Sequence, residues 1–362
     1  MTVHLGAAHL RAISGPGIRS LCSIDAGPAR CVGGGVRSAV SAADSTARNT
    51  TVSNLVSPVV SSAVTSSAGA TGSANPSTYV HSGGIRWNVM AQGQGPRVLL
   101  LHGTGSAGNS WNRLVAALAG RFETLAPDLP GHGWSGALAP GRSGLDAYAG
   151  AVATLVTDMG AWPDIIVGHS AGAAIAARIA LESRADRVAV ISINGALRPL
   201  HGWAAASFVP LARLLGGKPL VPNLVAFLVR ADTRAVRRLL DSTGSRIDAE
   251  MLARYEQLMQ RPEHIAGTLR MLAHWDLRVL VEQLHRLGPR LTLVTGSADR
   301  TVAPQDADWV QARVAGSALI GLPALGHLAH EEAPERIAQI VVSVARERGL
   351  LDDAPLPAEM GA

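Results

Sequence analysis

The 362-residue sequence predicts an α/β fold: a mostly parallel, doubly wound sheet with an inserted helical cap. Three observations predict it. Short apolar runs at 98–101, 122–126, 165–167, 188–193, 291–295 and 318–322 alternate with helix-length stretches, as strands buried under helices on both faces do. Gly168-His169-Ser170-Ala171-Gly172 joins one such strand directly to an alanine-rich stretch suited to a helix. From Arg198 to about Leu287 the alternation gives way to helical and loop-like sequence, and then it resumes.

Five segments follow: an extension at 1–75, core at 76–197, cap at 198–287, core again at 288–350, and a Pro/Ala-rich tail at 351–362. Residues 1–75 are rich in Ser, Ala, Thr, Gly and Val and lack a sustained period, so a disordered or mis-annotated extension with no catalytic part is expected. Arginine with serine and few acids is also the makeup of an organelle transit peptide. Cys22 and Cys31 are the only cysteines, and two outside the core make neither a disulfide framework nor a zinc site. Asn49 to Ile85 carries no Asp, Glu, Lys or Arg, yet it is too polar and interrupted to span a membrane. The net charge of +5 places +3 in residues 1–75, leaving the remainder nearly balanced. Scattered arginines and few aromatics exclude a nucleic-acid surface.

Thr78 to His81 and Ile85 to Met90, separated by Ser82-Gly83-Gly84, read as a hairpin. Val98 to Leu101 ends in the glycine-rich loop His102-Gly103-Thr104-Gly105-Ser106, which opens a helix over 107–119. The strand 122–126 runs into Pro127-Asp128-Leu129-Pro130-Gly131-His132-Gly133-Trp134-Ser135, and a helix over 145–159 precedes the serine strand. The serine helix covers 173–181. The cap holds prolines at 199, 210, 219, 222 and 262. Beyond it, the strand 291–295 leads to Asp299, a helix covers 305–314, and the strand 318–322 leads to Gly326-His327. A helix over 335–348 closes the domain.

Ligands of an open parallel sheet bind outside the carboxyl ends of its strands. The loops 102–106, 168–172, 296–301 and 324–330 therefore converge, under the cap, and supply Ser170, Asp299 and His327. A serine hydroxyl is a poor nucleophile until an imidazole takes its proton and a carboxylate fixes that imidazole's tautomer. The backbone N–H groups of Ala171 and Thr104 are the expected oxyanion donors. Asp306, Asp308 and Asp276 are rivals for the acid, and His330 for the base. His102, His132 and His169 read as loop histidines. His102, Gly103 and His169, with Trp111, Trp134, Trp203 and Trp275, are candidates to line the pocket, although core packing suits Trp111 and Trp134 equally. His327-x-x-His330-Glu331 is not His-Glu-x-x-His and has no third ligand, so no metal or other cofactor is expected.

From about Tyr79 to Leu350 the chain resembles the α/β-hydrolase superfamily, through His102-Gly103, Asp128-Leu129-Pro130-Gly131-His132-Gly133, Gly-His-Ser-Ala-Gly and Gly326-His327, and through the order Ser…Asp…His. Haloalkane dehalogenases and epoxide hydrolases resemble this fold but use aspartate where Ser170 stands. The cap stretches Ser242-Thr243-Gly244-Ser245-Arg246-Ile247-Asp248 and His264 to Leu277 resemble the magnesium-chelatase accessory proteins (BchO type) of phototrophic bacteria. Gly83 to Trp87 and Ile193-Asn194-Gly195-Ala196-Leu197 fit the same group. The resemblance implies a role in bacteriochlorophyll synthesis near magnesium insertion. The serine chemistry calls for an acyl substrate, with a tetrapyrrole and chelatase subunits as the expected ligand and partners of such a role, in a cytoplasmic place peripheral to a photosynthetic membrane. A non-catalytic scaffold and an unrelated carboxylesterase are the alternatives.

Overall fold

A computed structural model describes residues 77–182, 187–199, 218, 220–232 and 234–352. The N-terminal extension with both cysteines, Trp203 and most of the tail lie outside the described residues.

Eight strands form one sheet: β1 (Ser77–Ser82), β2 (Ile85–Gln92), β3 (Arg97–Leu101), β4 (Glu123–Pro127), β5 (Ile165–His169), β6 (Ala189–Ile193), β7 (Leu291–Gly296) and β8 (Ala318–Leu322). Their spatial order is β1-β2-β4-β3-β5-β6-β7-β8. The hairpin and the β2–β4 pair are antiparallel, and every later pair is parallel. Because side chains alternate along a strand, β3 is apolar from Val98 to Leu101 yet serves two cores. Leu99 and Leu101 join the cluster of α2 (Leu145–Asp158) and α3 (Ala171–Ala180). Val98 and Leu100 join the cluster of α1 (Asn112–Leu118) and α11 (Pro334–Glu347). Both faces of the sheet are covered, so β5 and β6 are buried at every position.

The helix expected over 107–119 starts instead as a 3-10 turn, Gly108–Trp111, before α1. Its entry is set by Asp128, whose Oδ1 accepts the Gly108 N–H at 2.7 Å.

The described cap comprises α4 (Leu220–Ala231), α5 (Arg234–Asp241), α6 (Ala249–Met259), α7 (Pro262–Ala273) and α8 (Arg278–Gln283). Asp248 caps α6 by accepting the Met251 N–H at 2.9 Å, and Pro262 opens α7, where its missing N–H costs nothing. Val229, Val236, Leu240, Met251, Tyr255 and Leu258 form a cap core that closes on Ala107 and Leu328 of the loops below. Leu280, Leu284 and Leu287 are buried with α2 and α3, so the chain rejoins the main core before residue 288. Among the described residues no helix is long and apolar enough to cross a membrane. The helices 305–311 and 329–332 are α9 and α10.

Candidate active site

Ser170 links β5 to α3 with φ 52° and ψ −117°, a region that costs a non-glycine residue roughly 1–3 kcal/mol. Neighbouring glycines make the turn fit. A Cβ on Gly172 would stand 2.1 Å from the Leu101 carbonyl oxygen, and one on Gly168 2.4 Å from that of Gly172. The serine N–H donates to Ile193 O at 3.1 Å, and its carbonyl accepts from Ala173 and Ala196 N–H. Its hydroxyl makes no hydrogen bond to a described residue, and neither the Ala171 nor the Thr104 N–H donates to one. Such an arrangement leaves a hydroxyl, and the first amide of a helix, available to a ligand.

Asp299 and His327 meet. The imidazole Nδ1–H donates to Asp299 Oδ2 at 2.8 Å, with both side chains almost wholly buried. Asp299 Oδ1 accepts the N–H groups of Thr301 (2.7 Å) and Val302 (3.0 Å), which fix the carboxylate plane. The His327 carbonyl accepts from Asn194 Nδ2 at 2.8 Å and from His169 Nε2–H at 2.9 Å, which ties the histidine loop to the elbow. Asn194 also donates to Gly326 O (2.9 Å) and accepts the Gly296 N–H (2.8 Å), so one side chain joins the ends of β6 and β7 to the histidine loop. No role for its side chain was visible in the sequence. The signal for it is an Asn-Gly pair directly after a strand, and Asn194 does adopt a positive φ, 46°.

The rival acids lie elsewhere. Asp306 is paired with Arg198 at 2.8 Å, Asp276 with the exposed Arg278 at 2.6 Å, and Asp308 sits in the first turn of α9. His330, the rival base, is buried between Trp111 (4.3 Å between ring centroids) and His169 (4.4 Å). Burial, then His327 and Arg254, push its pKa down to about 3, and neither ring nitrogen has a hydrogen-bond partner.

His102 holds loops together. Its Nε2 accepts the Leu129 N–H at 2.8 Å, so the proton is on Nδ1, which donates to Gly103 O at 2.8 Å. Burial, reinforced by His132, keeps it well below its ordinary pKa. His169 is likewise held neutral, first by burial and then by His330 and His327. Both rings are therefore loop anchors, and their burial leaves almost none of either exposed to a pocket; a Cβ on Gly103 would stand 3.0 Å from His169 Nδ1 and 3.0 Å from Ser170 Cβ. His264, from α7, accepts the Gly133 N–H (3.0 Å) on Nδ1 and donates from Nε2 to Gly105 O (3.2 Å).

Trp111 is fully buried in the core with α1, so it is a packing residue and not a pocket wall. Trp134 packs on the cap core beneath the Arg261 guanidinium, 5.2 Å away. Trp275 meets Tyr148 edge-on and packs on the α2–α3 core. Among the described residues no three His, Cys, Asp or Glu side chains are grouped as metal ligands.

Under the cap, Glu331 is fully buried and takes Arg254 Nη2 at 2.6 Å and the Tyr255 hydroxyl at 2.9 Å; Tyr255 in turn meets Ser106 Oγ at 3.2 Å. Burial raises the Glu331 pKa against the pull of Arg254.

The alpha/beta hydrolase family profile matches residues 98–340. A magnesium-chelatase 30 kDa subunit of Rhodobacter capsulatus is 38% identical over 262 residues, covering 72% of this chain and 91% of that protein. A pimeloyl-[acyl-carrier protein] methyl ester esterase of Methylococcus capsulatus is 31% identical over 205 residues, covering 54% and 74%. The crystal structure of a putative lipase from Acinetobacter baumannii superposes with a TM-score of 0.61 at 20% identity, over 75% of this chain and 91% of that one. The parallel sheet, the serine elbow and these matches lead to one assignment: the chain belongs to the alpha/beta hydrolase family and is a relative of the magnesium-chelatase 30 kDa subunit.

Proposed function

We propose that Ser170 is an acylating nucleophile and that the protein hydrolyses an ester-type acyl substrate as a magnesium-chelatase accessory protein in bacteriochlorophyll or chlorophyll biosynthesis. The observation that carries the chemistry is the 2.8 Å Asp299–His327 hydrogen bond beside a positive-φ serine elbow. Similarity to the chelatase subunit supports the pathway, and similarity to a methyl ester esterase supports the reaction. Ser170 Oγ attacks the substrate carbonyl while His327 takes the hydroxyl proton. The oxyanion forms against the N–H groups of Thr104 and Ala171, each worth roughly 3 kcal/mol to the transition state. The alcohol leaves with the proton from His327. Water, deprotonated by His327, then opens the acyl-enzyme to acid and free serine. Asp299 holds Nδ1 protonated throughout, so Nε2 stays the basic nitrogen. The proposed location is cytoplasmic, peripheral to a photosynthetic membrane.

Complementation tests this reading. In a phototroph lacking the gene, the wild-type protein restores pigment and a folded Ser170→Ala variant does not. Full rescue by Ser170→Ala would refute catalysis as the biological role.

One observation favours a second reading, a non-catalytic scaffold. On α4, Leu220, Leu224, Phe227 and Leu228 recur along one face and are each more than half exposed, while Pro222, Ala226 and Val229 pack inward. Such a face suits a protein partner. The relative's name points to magnesium-chelatase subunits as that partner. Leu224→Asp with Phe227→Asp would then abolish co-purification with chelatase subunits and leave ester turnover intact. Retained co-purification would count against it. A bound tetrapyrrole would instead quench Trp275 fluorescence on titration. Ester turnover with no effect of deletion on pigment would favour an unrelated carboxylesterase.

A further inference from the structure

The stretch 242–246 links α5 to the start of α6 and has no part in the chemistry above. It is wedged between the loop that carries Asp299 and the loop that carries His327. The Thr243 carbonyl accepts two N–H groups, from Arg300 at 3.1 Å and from His327 at 3.3 Å, one on each loop. Ser245, itself buried, accepts the Leu328 N–H on Oγ at 2.8 Å. The Arg246 N–H donates to Glu332 Oε2 at 3.0 Å, and the other oxygen of that carboxylate accepts the Gly326 N–H at 2.9 Å. Between these bonds the backbones touch. A Cβ on Gly244 (φ +82°) would stand 2.0 Å from Ala298 O, and one on Gly326 2.3 Å from the Gly244 carbonyl carbon.

We propose that the cap segment 243–246 is a positioning clamp for the acid and base, with Thr243 and Ser245 setting the backbones from which Asp299 and His327 reach each other. The cap thus assembles the site as well as covering it. Asn194 and His169 hold the backbone of His327 from the core side, through its carbonyl, while Thr243 holds it from the cap side, through its N–H. The inference rests on the reading that Ser170, Asp299 and His327 act together. Ordinary cap packing would make the segment matter to stability alone; a clamp makes it matter to the Asp299–His327 contact.

The test compares Ser245→Ala, Ser245→Thr and Gly244→Ala with Val229→Ala, a variant that weakens the cap core without removing any of these hydrogen bonds. Three quantities are read on each folded protein: melting temperature, the rate of fluorophosphonate labelling of Ser170, and the downfield proton resonance of an imidazole Nδ1–H bonded to a carboxylate. Ser245→Ala and Gly244→Ala are expected to slow labelling by between about ten-fold and a hundred-fold, the loss that ~1 Å of misplacement produces. Their Nδ1 proton is expected to shift upfield or broaden. Ser245→Thr keeps the acceptor and restores both. Val229→Ala lowers the melting temperature and leaves both signals at wild-type values. Unchanged labelling and an unchanged proton in Ser245→Ala would overturn the clamp, as would equal losses in Val229→Ala at matched stability. A wild type that shows the proton but never labels refutes the hydrolase reading and leaves the clamp to be judged on the proton. A wild type without that proton overturns the clamp, because no contact would exist to be positioned.

Discussion

Asp299 accepts three hydrogen bonds on two oxygens, and two of them come from its own loop. The carboxylate therefore keeps its orientation whether or not His327 is present, and what it selects is the imidazole tautomer. Asp299→Asn should preserve the fold and present an N–H or a weaker acceptor to Nδ1, lowering kcat by about ten-thousandfold with a modest change in KM. Steady-state kinetics on any turned-over ester, with melting temperature as control, checks this. Ser170, Asp299 and His327 could be picked out in the sequence because each follows an apolar strand by a few residues. Asn194 and Ser245 could not. They act by bonding backbone groups of loops 132 and 83 residues away, and nothing local to them records the partner. Trp111 was ambiguous for a related reason: an indole beside a glycine-rich loop reads the same whether it faces a pocket or a core.

Among the elements, α7 shows how the cap is seated. Gly267 lies so close to the Asp128–Trp134 loop that a Cβ there would stand 1.9 Å from Gly131 O. His264 and Arg261, from the same helix and its N-cap, bond Gly133 on its N–H and carbonyl respectively. Gly267→Ala must push the helix off the loop, a cost of about 1–3 kcal/mol of the kind that overpacking imposes, read as a fall in melting temperature. The Arg254–Glu331 pair links α6 to α10 with the carboxylate fully buried. Glu331→Gln leaves Arg254 with the more exposed Glu250 as its only carboxylate, so a loss of about 1–3 kcal/mol is expected in chemical denaturation, more than for the exposed Arg278–Asp276 pair. The helices α2, α3 and α11 were legible within two residues from periodicity and their flanking glycines and prolines. The α1 entry was missed because a carboxylate 20 residues downstream, and not local propensity, sets its geometry.

For the whole molecule, buried neutral histidines dominate the response to acid. Burial is the first cause that lowers His264 and His330 to about 3 and His132 to about 4, from 6.5. Below about pH 6.5 the unfolded chain takes up protons there that the folded chain does not, so stability falls with pH. The slope is about 1.4 kcal/mol per pH unit for each such histidine. Asp128 and Glu331, raised chiefly by burial, act in the opposite sense: the folded chain keeps their protons to higher pH, and that contribution is lost as pH rises. With the histidines more numerous, thermal melts should show the melting temperature dropping steadily from pH 7 to pH 5. A flat profile would show that these rings ionise in place.

At this scale the sheet was the most legible feature, because strands covered on both faces read as near-continuous apolar runs, and only that burial writes so plain a signal. The cap was legible as an interruption of the alternation. Its mode of attachment, through backbone groups of four loops, was not.

The central claim is that Ser170 is a reactive nucleophile. Incubation of the folded protein with a fluorophosphonate, followed by mass spectrometry, tests it most directly. The expected result is one stoichiometric adduct on Ser170, absent from Ser170→Ala and strongly slowed in His327→Ala. A folded wild type that takes up no label, or a label that persists in Ser170→Ala, would contradict it.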